Sequence, residues 1–131
     1  MDNLSKSEAK RLSPGTLAFY GDCVYEICAR RKVVSLGDRP SAELHNMSVK
    51  MVRASFQAAA YEKLLNTVSE EEADILRRGR NASGLNPPKS SNPAEYHKAT
   101  AVEALFGYLS LIGARERIEE LFSFITDDTK G

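Results

Sequence analysis

The most informative stretch of this chain is Thr100-Ala-Val-Glu103-Ala-Leu-Phe-Gly107-Tyr-Leu-Ser-Leu-Ile112. Its large apolar residues recur at three- and four-residue steps, and small residues fill much of the remainder, so it predicts a helix buried on nearly every side. Glu103 is the only charged residue in it. Because burying a lone carboxylate in apolar surroundings costs several kcal/mol, such a residue usually has a metal ion, a cationic partner or a chemical task. The rest of the chain must therefore supply a partner for Glu103.

Length and composition indicate one globular domain over residues 1–131. The chain has 131 residues, of which 42% are hydrophobic and 27% charged, and its formal net charge is zero. The polar ends, residues 1–12 and 126–131, are expected to be flexible. Because the chain has neither a signal-peptide-like start nor a run of about eighteen apolar residues, we expect a cytoplasmic protein with no membrane partner.

The apolar periodicity predicts an all-α fold with six or so helices and no β pattern. Thr16 is predicted to cap a helix over residues 17–30. Gly21 inside that helix indicates that another backbone or a ligand approaches closely beside Asp22. A second helical region opens at Ser41 and is expected to bend near Val49.

A short helix and a long loop precede the buried helix. Ser69 and Glu72 form a capping-box signature for the short helix, which is predicted to end at Gly79. Residues 79–93 are rich in glycine, proline, serine and asparagine, so we expect no regular structure there. Loops of this length are uncommon in compact domains and are usually functional or disordered.

Asp22 resembles Glu103 in its sequence surroundings, because it also lies among apolar residues of a predicted helix. Two such acids, if the fold brings them together, repel one another and need a cation between them. Mg²⁺ is the natural candidate, since it takes few protein carboxylates and keeps several of its waters. The alternative is that each acid pairs with an arginine or caps a neighbouring helix.

Basic residues accumulate around the long loop. Between Arg77 and Lys98 the sequence has five basic residues and a single acid, Glu95. This layout is expected if the loop holds a polyanion, although charged helix ends are often only solvated. Because the phenylalanines lie on apolar helical faces rather than among these basic residues, duplex RNA contacted through its backbone is favoured over stacked single strands. The predicted RNA-binding residues are Arg77, Arg78, Arg80, Asn81 and Lys89.

Several spaced motifs resemble the catalytic domains of the ribonuclease III family. Phe19-Tyr-Gly-Asp22-Cys-Val-Tyr-Glu26 is similar to the signature helix of that family, and Thr100-Ala-Val-Glu103-Ala-Leu-Phe-Gly107 is similar to its second acidic motif. Pro40-Ser-Ala-Glu-Leu-His45 and Arg77-Arg-Gly-Arg-Asn-Ala82 resemble hallmarks of the compact Mini-ribonuclease III branch, which has no separate double-stranded-RNA-binding domain. The motifs agree in order, and the resemblance covers residues 17–122.

The resemblance implies an all-helical endonuclease domain that forms a homodimer with two active sites along a shared valley. It implies Mg²⁺-dependent cleavage of double-stranded RNA that leaves 5′-phosphate and 3′-hydroxyl ends, in the maturation of large-subunit ribosomal RNA precursors. Asp22 and Glu103 match the two acidic positions of the family, so both are expected to be catalytic and to bind the metal. Phe19 matches an aromatic position of the family's dimer contact.

Two positions depart from the pattern of full-length ribonuclease III. The additional acids of that pattern are replaced here by Gly15 and Thr100. A thinner set of carboxylates leaves more of the metal's coordination to water, so we predict weak metal affinity and a need for millimolar Mg²⁺. The alternatives are a catalytically inactive helical protein that binds double-stranded or ribosomal RNA, and a helical interaction module whose acids are structural.

Overall fold

A computed structural model describes residues 2–82 and 86–127, and it contains seven helices and no strand within these ranges. The all-α prediction is therefore confirmed for the described chain. In chain order the helices are α1 (Lys6–Lys10), α2 (Pro14–Ser35), α3 (Ser41–Val52), α4 (Ala54–Leu64), α5 (Glu70–Arg80), α6 (Pro93–Leu111) and α7 (Arg115–Thr126). None of the helices found in the described ranges has the length and apolar character needed to cross a membrane.

Helix α6 forms the centre of the molecule, and α2, α4, α5 and α7 pack around it. Val102, Leu105 and Phe106 on this helix are completely inaccessible to solvent. The buried helix predicted from residues 100–112 is thus confirmed, but it begins earlier, at Pro93. Its start is set by Asn92, whose side-chain oxygen accepts hydrogen bonds from the backbone N–H groups of residues 94 and 95, as a capping residue does.

The closest helix contact is the crossing of α2 over α6. A Cβ atom built on Gly21 would lie 1.6 Å from the backbone carbonyl oxygen of Glu103. A Cβ atom on Gly107 would lie 2.1 Å from the carbonyl oxygen of Leu17. Only glycine permits backbones to approach this closely. The close approach predicted beside Asp22 is therefore confirmed, and the approaching group is the backbone of the other acid-bearing helix.

Two predicted helix ends were wrong. Ser13, rather than Thr16, caps α2, because its hydroxyl accepts a hydrogen bond from the Thr16 N–H at 3.1 Å and proline follows at the first helical position. Helix α5 continues through Gly79 to Arg80. Gly79 does not end the helix but allows α5 to pack closely against α6, since a Cβ atom there would lie 2.8 Å from the Cα atom of Ala101.

The predicted bend near Val49 is displaced to Arg53. The backbone of Arg53 is extended, with φ −62° and ψ 152°, and it separates α3 from α4. The carbonyl groups of the last α3 residues then accept hydrogen bonds from side chains: the Tyr25 hydroxyl donates to Met51, and the Gln57 amide donates to Val52. Side chains of α2 and α4 therefore stabilise the break between α3 and α4.

The N-terminal segment packs more closely than its polar composition suggested. Residues 1–12 were expected to be flexible, yet Ala9 of α1 is fully buried, and the Leu4 N–H donates to the Leu111 carbonyl at 2.8 Å. The capping box at Ser69 and Glu72 is confirmed. Residues 128–131, most of the tail that was expected to be flexible, lie outside the described residues.

Candidate active site

The α2–α6 crossing brings Asp22 and Glu103 together. Gly21 lies directly against the backbone of Glu103, and the Asp22 carboxyl group is close enough to shift the pKa of the Glu103 carboxyl group. The expectation that both acids lie in buried apolar surroundings is wrong for Asp22, which is exposed, and Glu103 is partly exposed. The reason is geometrical: Gly21 occupies the contact face of α2, so the next residue points about 100° away, toward the rim of the crossing.

The proximity of the two acids changes the chemistry of Glu103. Burial of its side chain, and next the negative charge of Asp22, raise the pKa of Glu103 to about 7. The hydrogen bond from Gln57 opposes this rise. A carboxylate with this pKa is readily protonated near neutral pH, and a divalent cation between the two acids would remove the repulsion that raises the pKa.

Gln57 is a residue of this site that the sequence did not reveal. It is 2% exposed, and its side-chain nitrogen donates to Glu103 Oε2 at 3.3 Å and to the Val52 carbonyl at 2.7 Å. Its side-chain oxygen is buried and has no hydrogen-bond partner within the described chain. The available signal was weak: a polar residue among the apolar positions of α4, beside Ala58, Ala60 and Tyr61.

The two acids fit a divalent ion better than they fit the alternative of two separate arginine pairs. In the part of the chain that the structure describes, neither Asp22 nor Glu103 forms an ion pair. No group of three or more acidic, histidine or cysteine residues that could hold a metal occurs within residues 2–82 and 86–127. Thr100, which stands where full-length ribonuclease III has an additional acid, brings no carboxylate, and its hydroxyl donates to the Tyr96 carbonyl. A pair of carboxylates completed by water is the coordination that Mg²⁺ accepts.

The predicted RNA-binding residues fall into two groups. Arg77, Arg78 and Asn81 line a groove at the N-terminus of α2, together with Ser13, Pro14 and Gly15. Arg80 and Lys89 are exposed and do not line this groove. Within the groove, Arg77 pairs with Asp74, and the guanidinium of Arg78 donates to the Leu12 carbonyl at 3.2 Å. Arg78 therefore anchors the N-terminal segment as well as facing the groove.

Phe19, the predicted dimer residue, is the most exposed large apolar side chain among the described residues, at 82%. It lies on α2 three residues before Asp22, and Ile27 on the same helix is 58% exposed. Such side chains on one helix are a common feature of surfaces that contact another protein.

Comparison with known proteins decides the family. The ribonuclease III domain matches residues 15–113 of this chain. Mini-ribonuclease 3 of Symbiobacterium thermophilum is 42% identical over 116 residues, covering 88% of this chain and 89% of that protein. The chain belongs to the ribonuclease III family. Mini-ribonuclease 3 of Staphylococcus aureus is 40% identical over 128 residues and covers 95% of both chains.

A solved structure shares the fold of this chain. A crystal structure of a Fusobacterium nucleatum protein matches 92% of this chain and 96% of its own chain, with a TM-score of 0.79 and 28% identity. Membership of the ribonuclease III family makes the chain an endoribonuclease of the ribonuclease III type. The family acts on double-stranded RNA and is generally dependent on divalent metal ions.

Proposed function

We propose that this ribonuclease III-type endoribonuclease hydrolyses double-stranded RNA with Mg²⁺ held by Asp22 and Glu103. We further propose that its substrate is a precursor of large-subunit ribosomal RNA, that it leaves 5′-phosphate and 3′-hydroxyl ends, and that it acts in the cytoplasm as a homodimer. The substrate and the end chemistry follow from the resemblance to Mini-ribonuclease III. The catalytic assignment is supported by the geometry at the α2–α6 crossing.

The observation that carries this proposal is the meeting of two carboxyl groups, neither of which forms an ion pair with any residue that the structure describes. Burial, and next repulsion by Asp22, raise the pKa of Glu103 to about 7, so the charged form of this carboxyl group is less stable than in a free glutamate. Sites of this kind are enriched at catalytic centres, because the unfavourable charge is relieved when the reacting complex forms.

The protein's own groups divide the work of cleavage. Asp22 and Glu103 would hold the metal, and Gly21 and Gly107 allow the backbone approach that brings them together. A bound Mg²⁺ supplies a water of lowered pKa and neutralises negative charge on the phosphate. In the overall reaction, water oxygen bonds to phosphorus, the bond from phosphorus to the 3′ oxygen breaks, and that oxygen receives a proton. The phosphate remains as the 5′-phosphate of the downstream fragment. Because water attacks phosphorus directly in this scheme, no covalent enzyme intermediate forms.

RNA binding is assigned to the basic surface near the start of α2. The groove residues Arg77, Arg78 and Asn81 offer donors to phosphate oxygens beside the N-terminus of α2, where the helix dipole favours negative charge. Arg80 and Lys89, both exposed, would extend this contact along a duplex. Such contacts are directed at the backbone, so binding should depend strongly on salt and weakly on base sequence.

Homodimer formation is assigned to the exposed face of α2 around Phe19. Replacing Phe19 with serine should convert a dimer to a monomer in sedimentation analysis, while circular dichroism still shows a folded helical chain. A parent protein that sediments as a monomer at micromolar concentration would remove this part of the proposal.

The decisive experiment compares acids on the same surface. A long RNA duplex is incubated with the parent protein in Mg²⁺ or chelator, and with the Asp22→Asn, Glu103→Gln and Glu26→Gln variants. Glu26 is the matched control, because it lies one turn after Asp22 but pairs with Arg30 at 2.9 Å. We expect Asp22→Asn and Glu103→Gln to lose more than the 10–100-fold typical of an outer-shell residue.

Two results would contradict the assignment. Cleavage at the parental rate by a folded Asp22→Asn variant would remove Asp22 from the mechanism. Duplex binding by the parent protein in gel shifts, without any metal-dependent cleavage, would favour the inactive RNA-binding alternative. Glu26→Gln should cleave within about threefold of the parent, because a partly exposed ion pair contributes little.

A further inference from the structure

Gln57 connects the helix break at Arg53 to the acid Glu103. The two N–H bonds of its side-chain amide are directed at two acceptors, the Val52 carbonyl at 2.7 Å and Glu103 Oε2 at 3.3 Å. Because both neighbours accept hydrogen bonds, they fix the orientation of the amide with its nitrogen toward them. Among the described residues of α4, only Gln57 donates a hydrogen bond to the Glu103 side chain.

The position of Gln57 is itself held from both sides. The side chain is 2% exposed, so packing restricts its rotamers. The Val52 carbonyl that it contacts is available because the extended backbone of Arg53 ends α3 there. The neighbouring Met51 carbonyl accepts a hydrogen bond at 2.7 Å from Tyr25, a residue of the Asp22-bearing helix. The end of α3 thus anchors side chains connected to both acid-bearing helices.

The arrangement is not explained by stability alone. The side-chain oxygen of Gln57 is buried and has no hydrogen-bond partner among the described residues. A buried acceptor without a donor lowers stability, and an apolar residue of similar shape would remove that penalty. The hydrogen bond from the Gln57 nitrogen to the Glu103 carboxylate therefore explains a polar residue at this position better than stability does.

From these contacts we infer that Gln57 is a positioning residue: it holds the Glu103 carboxylate toward Asp22 in the geometry that receives the divalent ion. It touches neither RNA nor metal in this assignment, and it acts through Glu103. The inference rests on the proposed function, because it needs Glu103 to bind the metal. Outer-shell partners of this kind typically change metal affinity or activity by 10–100-fold.

The test measures metal binding directly, apart from cleavage. Mn²⁺ is titrated into the parent protein and into the Gln57→Leu, Glu103→Gln and doubly substituted Gln57→Leu/Glu103→Gln variants, with free Mn²⁺ followed by electron paramagnetic resonance. We expect Gln57→Leu to weaken Mn²⁺ binding about tenfold. The double variant should bind Mn²⁺ as Glu103→Gln does, because a residue that acts through Glu103 has no effect once that carboxylate is gone.

Tyr25→Phe is the matched control. It removes the hydrogen bond to Met51 at the same end of α3 but leaves the Gln57 contact to Glu103 in place. We expect Tyr25→Phe to bind Mn²⁺ within twofold of the parent. In steady-state cleavage, Gln57→Leu should show a lower kcat with an unchanged KM for duplex RNA. If Gln57→Leu does not fold, Gln57→Asn, whose shorter amide does not span both acceptors, takes its place.

The outcomes separate this inference from the proposed function. If Glu103→Gln binds Mn²⁺ as tightly as the parent, the metal role of Glu103 is wrong and the inference is overturned with it. If Glu103→Gln weakens binding but the Gln57 variants do not, only the inference is overturned. Equal losses of Mn²⁺ affinity in Tyr25→Phe and Gln57→Leu would assign the effect to the helix break at Arg53 and would also overturn the inference. Additive losses of Mn²⁺ affinity in the double variant would overturn it too, because Gln57 would then act independently of Glu103.

Discussion

Replacing Gly21 with alanine places a methyl group in the α2–α6 crossing, where the two acid-bearing helices meet. The added Cβ atom would lie 1.6 Å from the Glu103 carbonyl oxygen and 2.8 Å from the Gly107 nitrogen. Real Cβ atoms essentially never approach heavy atoms closer than 3.0 Å, so the backbones must separate by about 1.4 Å. Both obstructing atoms are backbone, so no side-chain rotation relieves the contact.

The energetic consequence has two opposing contributions. Overpacking of a filled core costs about 1–3 kcal/mol and occasionally more, while alanine gains about 1 kcal/mol over glycine in a helix interior. Because the displacement at Gly21 is large and involves backbone, we expect a cost above this range, about 4 kcal/mol, and therefore a net loss of about 3 kcal/mol. For a domain of this size that corresponds to a fall in Tm of roughly 10 °C. A loss of this size leaves a typical domain folded at room temperature.

The matched variants are Gly107→Ala and Gly79→Ala, whose added Cβ atoms would lie 2.1 Å and 2.8 Å from the nearest atoms. Gly79 needs a movement of only about 0.2 Å, so its helix gain of about 1 kcal/mol offsets the strain. We expect the order of destabilisation to be Gly21→Ala, then Gly107→Ala, then Gly79→Ala, which should stay within about 1 kcal/mol of the parent. Urea and thermal unfolding, followed by circular dichroism, measure these differences.

Cleavage provides the second readout of the same change. Since a misplacement of about 1 Å can cost about 100-fold in rate, Gly21→Ala should cleave duplex RNA at least that much more slowly at temperatures where it is folded. Gly79→Ala should retain activity near the parental level. A Gly21→Ala variant as stable as the parent, or one less damaging than Gly79→Ala, would refute the assignment of the crossing as a backbone contact.

Three further predictions follow from charged groups. Because the folded-state pKa of Glu103 is raised from 4.5 to about 7, the metal-free protein should lose stability as pH rises through that window, and Glu103→Gln should remove the loss in unfolding titrations. Replacing Arg80 or Lys89 with alanine should lower the slope of log Kd for duplex RNA against log salt by about one each, measured by filter binding. Arg117→Met leaves the Glu72 carboxylate, which is 9% exposed, without its ion-pair partner. Breaking a fully buried pair costs about 3–5 kcal/mol. Because Arg117 is 29% exposed, we expect a smaller loss of about 2 kcal/mol in urea unfolding.

Several features of this molecule were determined by the sequence itself. The apolar spacing of α6, the capping box at Ser69 and Glu72, and the glycine beside Asp22 predicted the central helix, a helix start and a close backbone contact. The helix and its start are local properties, since helix formation depends on residues three or four positions apart. The glycine indicated that a close contact exists, but not which backbone makes it. Glu103 was also recognisable, because it is the only charged residue in the apolar stretch 100–112.

Other features were decided only by the tertiary structure. The contact between Gln57 and Glu103 joins residues 46 positions apart, and it depends on where the chain breaks at Arg53 and how α4 lies against α6. The exposure of Asp22 and the bond from Arg78 to the Leu12 carbonyl depend in the same way on helix rotation and register. Periodicity identifies which face of a helix is apolar, but only the packing of backbones determines which polar side chains meet across that packing.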